Sequence, residues 1–476
     1  MKQYKKCLIK SAKVASNETS ITIIGGGISG STIALQLAEL GCNVTLLEKD
    51  AELLNGPPMC HLHAGGNLYP ELSDEECSTL LQECIDFARY YPAAIDKRPT
   101  VLAIPKRDSN SINDILARLK KLSQTYQQLV MQDPKNQVLG EPKDYYRVYD
   151  REDLEHLKLN ETPQYPHQLD HWMIPVAKNI DLDVLKMPLI LVQEYGLNKL
   201  RLASMLMLAL DQQKNCAIKT NSNVLEIKKE SNQWCIIYSD QHGQTQHENC
   251  DYLINAAGFK TGEIDDLINV KRDSMVEFKA AYLTKWHEES TICWPEVIFY
   301  GQRGTPYGLA QLTPFPDNHF VLHGMTQDIT LFDQGLVKNE RDSAQPQLPP
   351  HLVEKMEQGW EKKELEIRTQ RAIQHISYYI PKFASATPCN QVLFGAQQIP
   401  SNNPSFRTAT VSFSEQSYST YARCEVVKAS AAITASRNII SHLMQQGLLE
   451  CHSIKQNKAS LRLCFLTPRR AFFLKI

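Results

Sequence analysis

The run Ile21-Thr22-Ile23-Ile24-Gly25-Gly26-Gly27-Ile28-Ser29-Gly30 constrains this chain more than any other stretch. Its apolar, β-branched start reads as a buried strand, its glycines as a turn, and the residues after that turn as a helix. Gly25 permits the tight turn, and Gly27 lets a pyrophosphate approach the backbone because no Cβ intervenes. Gly30 lets the helix lie close on the sheet. The helix N-terminus, with Ser29 in its first turn, supplies free N–H groups for phosphate charge.

A glycine turn without a ligand is the plainer reading of such a run, so the context decides. Ile33, Ala34, Leu37, Ala38 and Leu40 recur at helical spacing, and Gly41 stands where a helix C-cap belongs. Val44 to Leu47 then read as a second parallel strand, closed by Glu48 and followed by Lys49. Glu48 lies eighteen residues past Gly30, the place from which an acid takes the ribose hydroxyls of an adenosine half.

At 476 residues the chain exceeds the size at which a single core keeps growing, so two structural units are expected, interleaved or in series. Net charge is −2, which argues against nucleic acid as the main partner. The thirteen cysteines form no C-x-x-C pair, and Cys42, Cys84 and Cys216 sit in or beside apolar segments, which suits a reducing cytoplasm. The lysine-bearing first twenty residues lack the apolar core of a signal peptide, and no window approaches the ~18 apolar residues of a membrane span.

After Glu48 comes a loop from Asn55 to Asn67 crowded with glycine, proline and histidine, and then a capping box, Ser73 with Glu76, that opens a helix running to Pro92. Cys60 and His63 have a spacing seen in metal sites, but no second ligand pair accompanies them, and zinc takes three or four protein ligands. Further on, Asn223-Val224-Leu225-Glu226-Ile227 and Tyr252-Leu253-Ile254-Asn255-Ala256-Ala257-Gly258 read as strands, the second ending in a turn of small residues.

Taken together these segments resemble FAD-dependent oxidoreductases of the D-amino acid oxidase type, a family that includes glycine and sarcosine oxidases and L-2-hydroxyglutarate dehydrogenase. The resemblance implies that His63-Ala64-Gly65-Gly66-Asn67 lines the isoalloxazine ring, that the backbone at Val224 meets adenine, and that Ala257 and Gly258 close over the dinucleotide. It also separates FAD from NAD, because a nicotinamide-binding domain accounts for Gly25 to Glu48 but not for the later two elements. Some relatives attach flavin covalently through histidine or cysteine; Cys60, His61 and His63 leave that open here, with non-covalent contact the plainer expectation.

The expected fold is α/β: a Rossmann-like FAD-binding domain (18–95, 191–270 and 390–448) interleaved with an α+β substrate domain (96–190 and 271–389) built on a mainly antiparallel sheet. Met275 to Leu283, Val297 to Tyr300, Leu309 to Thr313 and Phe320 to His323 read as its strands, a long helix as 350–379, Val392 to Gly395 as a strand returning to the cofactor domain, and the last helix as 421–444. Residues 449–476 form a basic apolar tail without acids from Cys451 on, which leaves open a weak contact with an anionic membrane surface. The family's glycine-rich turn before the last helix is missing, since no glycine occurs between Gly395 and Gly447; Ser412, Ser414 and Arg423 are the candidates to replace its contacts.

The implied chemistry is oxidation of a C–N or C–OH bond of a small, carboxylate-bearing substrate by hydride transfer to FAD, with oxygen or a quinone as the final acceptor. Arg303 and Arg407 are nominated to bind the carboxylate, a task suited to a guanidinium, and His63 and His323 to accept the proton. A flavin-dependent monooxygenase would share the N-terminal half but needs a reductant site that is not visible, and a non-catalytic flavin-binding protein is the third alternative.

Overall fold

Ile21, Ile23 and Ile24 are all buried in strand β1 (Ser20–Ile24), which explains a continuous apolar run rather than an alternating one. β1 pairs in parallel with β2 (Asn43–Leu47) on one side and with Tyr252–Asn255 on the other, Ile21 lying opposite Val44 and Tyr252. The whole six-stranded sheet runs in the order Val411–Phe413, Tyr421–Cys424, Tyr252–Asn255, β1, β2, Cys216–Lys219. Only the edge strand Val411–Phe413 is antiparallel to its neighbour. Helix α1 (Ile28–Glu39) and the last helix, Ala432–Gln445, pack on one face. A three-stranded antiparallel meander, Asn223–Glu230, Gln233–Ser239 and Thr245–Cys250, packs on the other through Trp234, Ile236 and Tyr238.

The computed structural model describes residues 19–55, 60–61, 66, 71–287, 293–413 and 420–450. His63, Ala64, Gly65, Asn67 and Ser414, and nearly all of the basic tail, lie outside the described residues.

The second unit is a nine-stranded sheet, antiparallel except where Glu296–Phe299 runs parallel to Thr100–Ala103. Val297, Phe299, Leu312, Phe320 and Leu322 face one core, closed by Lys362–Ser377. Ile298, Tyr300, Leu102, Ile104, Ile190 and Val192 face the other way and share a single core with α1 and with the helix Asp74–Tyr90. The two units therefore meet through the sheet face that carries the even-numbered residues of Glu296–Phe299.

Four sequence expectations change. The strand Thr387–Ile399 does not return to the nucleotide sheet but pairs along the whole of Met275–Lys285, so Val392 to Gly395 belong to the substrate sheet. The helix expected over 350–379 is two, Pro350–Glu357 and Lys362–Ser377, broken at Gly359, whose φ of +93° suits glycine alone. Tyr421 to Cys424 form a strand rather than the first turn of the last helix; four consecutive buried residues carry no periodicity to distinguish the two. The helix Ile112–Gln132, which falls in the expected insertion, buries Ile115, Leu119, Leu122 and Tyr126 in the core that the two units share.

The helix Asp74–Tyr90 forms the capping box expected of Ser73 and Glu76, with both reciprocal bonds made. Among its buried Leu80, Leu81, Cys84 and Ile85 lies Glu83, 2% exposed, and burial pushes its carboxyl from 4.5 up to about 7, the Thr434 hydroxyl beside it pulling less strongly the other way. The folded chain keeps a proton that the unfolded chain releases near pH 4.5, so this group's ionisation costs stability progressively from there to about pH 7. Glu83→Gln, neutral throughout, is expected to raise stability by about 2 kcal/mol above about pH 8 and to change little below about pH 4. Thermal unfolding of both proteins across that range checks it, and parallel curves would contradict it.

Candidate functional site

Of the four glycines of the first turn, Gly25 and Gly30 lie against backbone, Gly26 against the Leu53 side chain, and Gly27 against nothing. A Cβ on Gly30 would stand 1.8 Å from the Gly25 carbonyl oxygen, and one on Gly25, where φ is +104°, would stand 2.4 Å from the Ala256 carbonyl oxygen. A Cβ on Gly27 meets nothing within 4 Å. Gly27 is the N-cap of α1, and no side chain caps that end. Open space in front of uncapped helical N–H groups, with Ser29 in the first turn, is what a phosphate requires.

Glu48 closes the cradle from the end of β2. Its carboxylate accepts from Gly26 N at 2.6 Å and from Asp50 N at 2.9 Å, so the acid is held beside the glycine turn. Lys49 is half-exposed and 3.9 Å from Asp50. The segment before Val224 runs alongside: Ser222 N donates to Glu48 O at 2.8 Å and Asn221 N to Asp50 O at 3.0 Å. Val224 and Ala257 pack on the same cluster as Ile24 and Leu47, the last residues of β1 and β2. The fold thus gathers Gly25 to Gly30, Glu48, Val224 and the 256–258 turn at the C-terminal ends of the parallel strands, where dinucleotides bind in such sheets.

The turn itself is anchored from below. Asn255, fully buried, donates to Thr261 O and to the Tyr421 hydroxyl, each at 2.8 Å, and accepts from Ala257 N at 3.3 Å. Tyr421 bonds Asp265, which pairs with Arg423, and Glu425 is shared between Arg423 and Arg272. Arg423 and Ser412, candidates for the missing glycine turn, are both bonded within this network. Small residues, Ala429 to Ala431, precede the last helix instead. Gly66 is pressed on the helix Asp74–Tyr90, where a Cβ would stand 2.8 Å from Leu80.

On the substrate sheet, alternation puts His323 with Val321 and opposite Phe320 and Leu322, which lie in the far core; His323 therefore faces the nucleotide-binding unit. The same face carries Gln311, directly across from His323, and Glu296. Gln311 donates to Glu296, and His323 Nδ1 lies 3.2 Å from Gln311 Oε1. Further along, Glu277, 2% exposed, pairs with both Arg303 and Lys279. Lys279 also bonds Gln397, whose amide reaches Val427 O at 3.0 Å, just before the last helix. The loop carrying Arg303 folds back on the end of the His323 strand, with Gly304 N donating to Met325 O at 3.0 Å.

Arg407 is placed differently. It is 1% exposed, and its Nη1 donates to Pro404 O at 2.7 Å and Phe406 O at 2.8 Å, within its own loop. Glu277, Lys279, Glu296 and Gln311 are not singled out by the sequence. The available signal was a lone polar residue inside each apolar strand, as in Glu296 before Val297-Ile298-Phe299.

A dinucleotide cradle joined to a second sheet that turns titratable side chains toward it is the arrangement of a redox enzyme, in which the dinucleotide carries electrons and the second unit holds the substrate. The model of the FAD dependent oxidoreductase family (DAO) matches residues 20–386, and the chain belongs to that family. Its cofactor is FAD and it is an FAD-dependent oxidoreductase. The solved structure of NikD, described as an unusual amino acid oxidase essential for nikkomycin biosynthesis, shares the fold with a TM-score of 0.59, 12% identity, and 93% and 97% coverage of this chain and of that one. Glycine oxidase from Geobacillus kaustophilus does so at 0.56, with 10% identity and 90% and 95% coverage. Among curated proteins, the tRNA 5-methylaminomethyl-2-thiouridine biosynthesis bifunctional protein of Shewanella denitrificans is 40% identical over 79 residues, which span 16% of this chain and only 10% of that protein. Among the described residues, no helix is long and apolar enough to cross a membrane.

Proposed function

We propose that the chain oxidises the C–N bond of a small amino acid, with oxygen or a quinone taking the electrons afterwards. The observation that carries this reading is the cationic pair, Arg303 and Lys279, gathered around buried Glu277 on the same sheet face as His323. A guanidinium with five donors and an ammonium with three can serve a second carboxylate as well as Glu277. His323 accepts the proton from the substrate nitrogen at Nε2, since its Nδ1 lies against Gln311. FAD, held by Gly27, Ser29, Glu48, Val224 and the 256–258 turn, supplies the hydride acceptor. The printed names of the two solved neighbours, both oxidases of amino acids, fit nitrogen at that carbon, while a neighbour of like TM-score is a glycerophosphate oxidase.

Arg303→Leu tests the carboxylate contact. Losing a charge-assisted hydrogen bond costs about 1.5–3 kcal/mol, so the amino acid concentration needed for half-maximal anaerobic flavin reduction rises roughly 10- to 100-fold. The methyl ester of the same amino acid, already without the charge, should be nearly indifferent. Equal losses for acid and ester would overturn the assignment.

A further inference from the structure

Three adjacent strands contribute polar side chains to the face toward the nucleotide-binding unit, among them Glu296 from Glu296–Phe299, Gln311 from Ala310–Phe315 and His323 from His319–Gly324. Glu296 is 2% exposed and Gln311 fully buried, while His323 is partly exposed. Polar groups so placed are costly unless their hydrogen bonds are ordered.

That order determines where the histidine proton sits. The Gln311 amide nitrogen faces Glu296, and Gln311 Nε2 donates to its carboxyl oxygen. The amide oxygen is then left on the other side, 3.2 Å from His323 Nδ1. An amide oxygen only accepts, so the proton of that contact must belong to Nδ1. Neutral imidazole carries one N–H, and Nε2 is left with its lone pair.

We infer that Glu296 and Gln311 are positioning residues that hold His323 in its Nδ1–H tautomer, which leaves the lone pair on Nε2. The step in which His323 uses that lone pair rests on the function proposed above; the tautomer itself does not. The carboxylate acts through the amide, across two strand-to-strand contacts, and touches neither substrate nor cofactor.

The tautomer is read directly by long-range proton–nitrogen correlation on the FAD-loaded protein with labelled histidine, at a pH where the ring is neutral and with His323→Gln assigning the signal. The wild type is expected to show a protonated Nδ1 and an unprotonated Nε2. In Glu296→Gln the Gln311 amide is free to face either way, so the signal moves toward Nε2–H and anaerobic flavin reduction slows about tenfold, a fraction of a full base deletion. The exchanged pair Glu296→Gln with Gln311→Glu puts an acceptor-only carboxylate against Nδ1 and is expected to restore both tautomer and rate. An Nε2–H tautomer in the wild type, or one unmoved by Glu296→Gln, overturns the inference. A wild-type Nδ1–H tautomer, lost in Glu296→Gln, together with an unchanged reduction rate in His323→Gln, upholds it and overturns instead the role of His323 as proton acceptor.

Discussion

Gly27→Val is expected to yield a folded, colourless protein. The substituted Cβ meets nothing within 4 Å, and Gly27 has φ of −67°, so the backbone tolerates the side chain and the thermal midpoint of the FAD-free protein should be unchanged. The added methyls instead fill the space in front of the α1 N-terminus, where the pyrophosphate belongs, and FAD affinity should fall by at least about 100-fold, or roughly 3 kcal/mol. Gly30→Ala makes the opposite case. Its Cβ would stand 1.8 Å from the Gly25 carbonyl oxygen, so helix and turn must separate, and the FAD-free protein itself should lose about 3 kcal/mol or more. FAD titration followed by fluorescence, with denaturant unfolding of the FAD-free variants, separates the two. A yellow Gly27→Val protein with near-normal affinity would contradict the cradle.

His323→Leu is expected to slow anaerobic flavin reduction by about 10²–10⁴-fold, the usual weight of a general base, with FAD still bound. The residue sits at the centre of an antiparallel sheet, opposite Gln311 and facing the nucleotide-binding unit, so removing the ring takes away the proton acceptor without touching the cradle. Substrate affinity should change far less than rate, because carboxylate binding falls to Arg303 and Lys279. Stopped-flow reduction with a saturating amino acid measures it. A rate within threefold of wild type, roughly 0.7 kcal/mol on the barrier, would remove His323 from the chemistry.

The first strand, turn, helix and second strand are legible in the chain because each rests on local rules: glycine positions, helical spacing and an acid at a defined distance. The interleaving of two units is legible as well. Where the strand 387–399 pairs is not, because an apolar run says that it is buried and nothing about which sheet buries it. Tyr421 to Cys424 read as helix for the same reason. In the site, residue type alone nominates Arg303 and Arg407 equally; the fold sets them in different surroundings, Arg303 paired with Glu277 and Arg407 donating to Pro404 O and Phe406 O of its own loop. Glu296, Gln311, Glu277 and Lys279 acquire meaning only once strand neighbours are known, since each is an ordinary polar residue in sequence and part of a pair or relay in space.

The most direct test of the central claim is anaerobic mixing of the yellow protein with matched substrates that differ only at the reacting carbon, small 2-amino acids against the corresponding 2-hydroxy acids. Loss of the visible flavin band with one or more amino acids, and not with their hydroxy counterparts, is the predicted result. Bleaching by a reduced nicotinamide but by no amino or hydroxy acid would contradict it, and so would bleaching by the hydroxy acids alone.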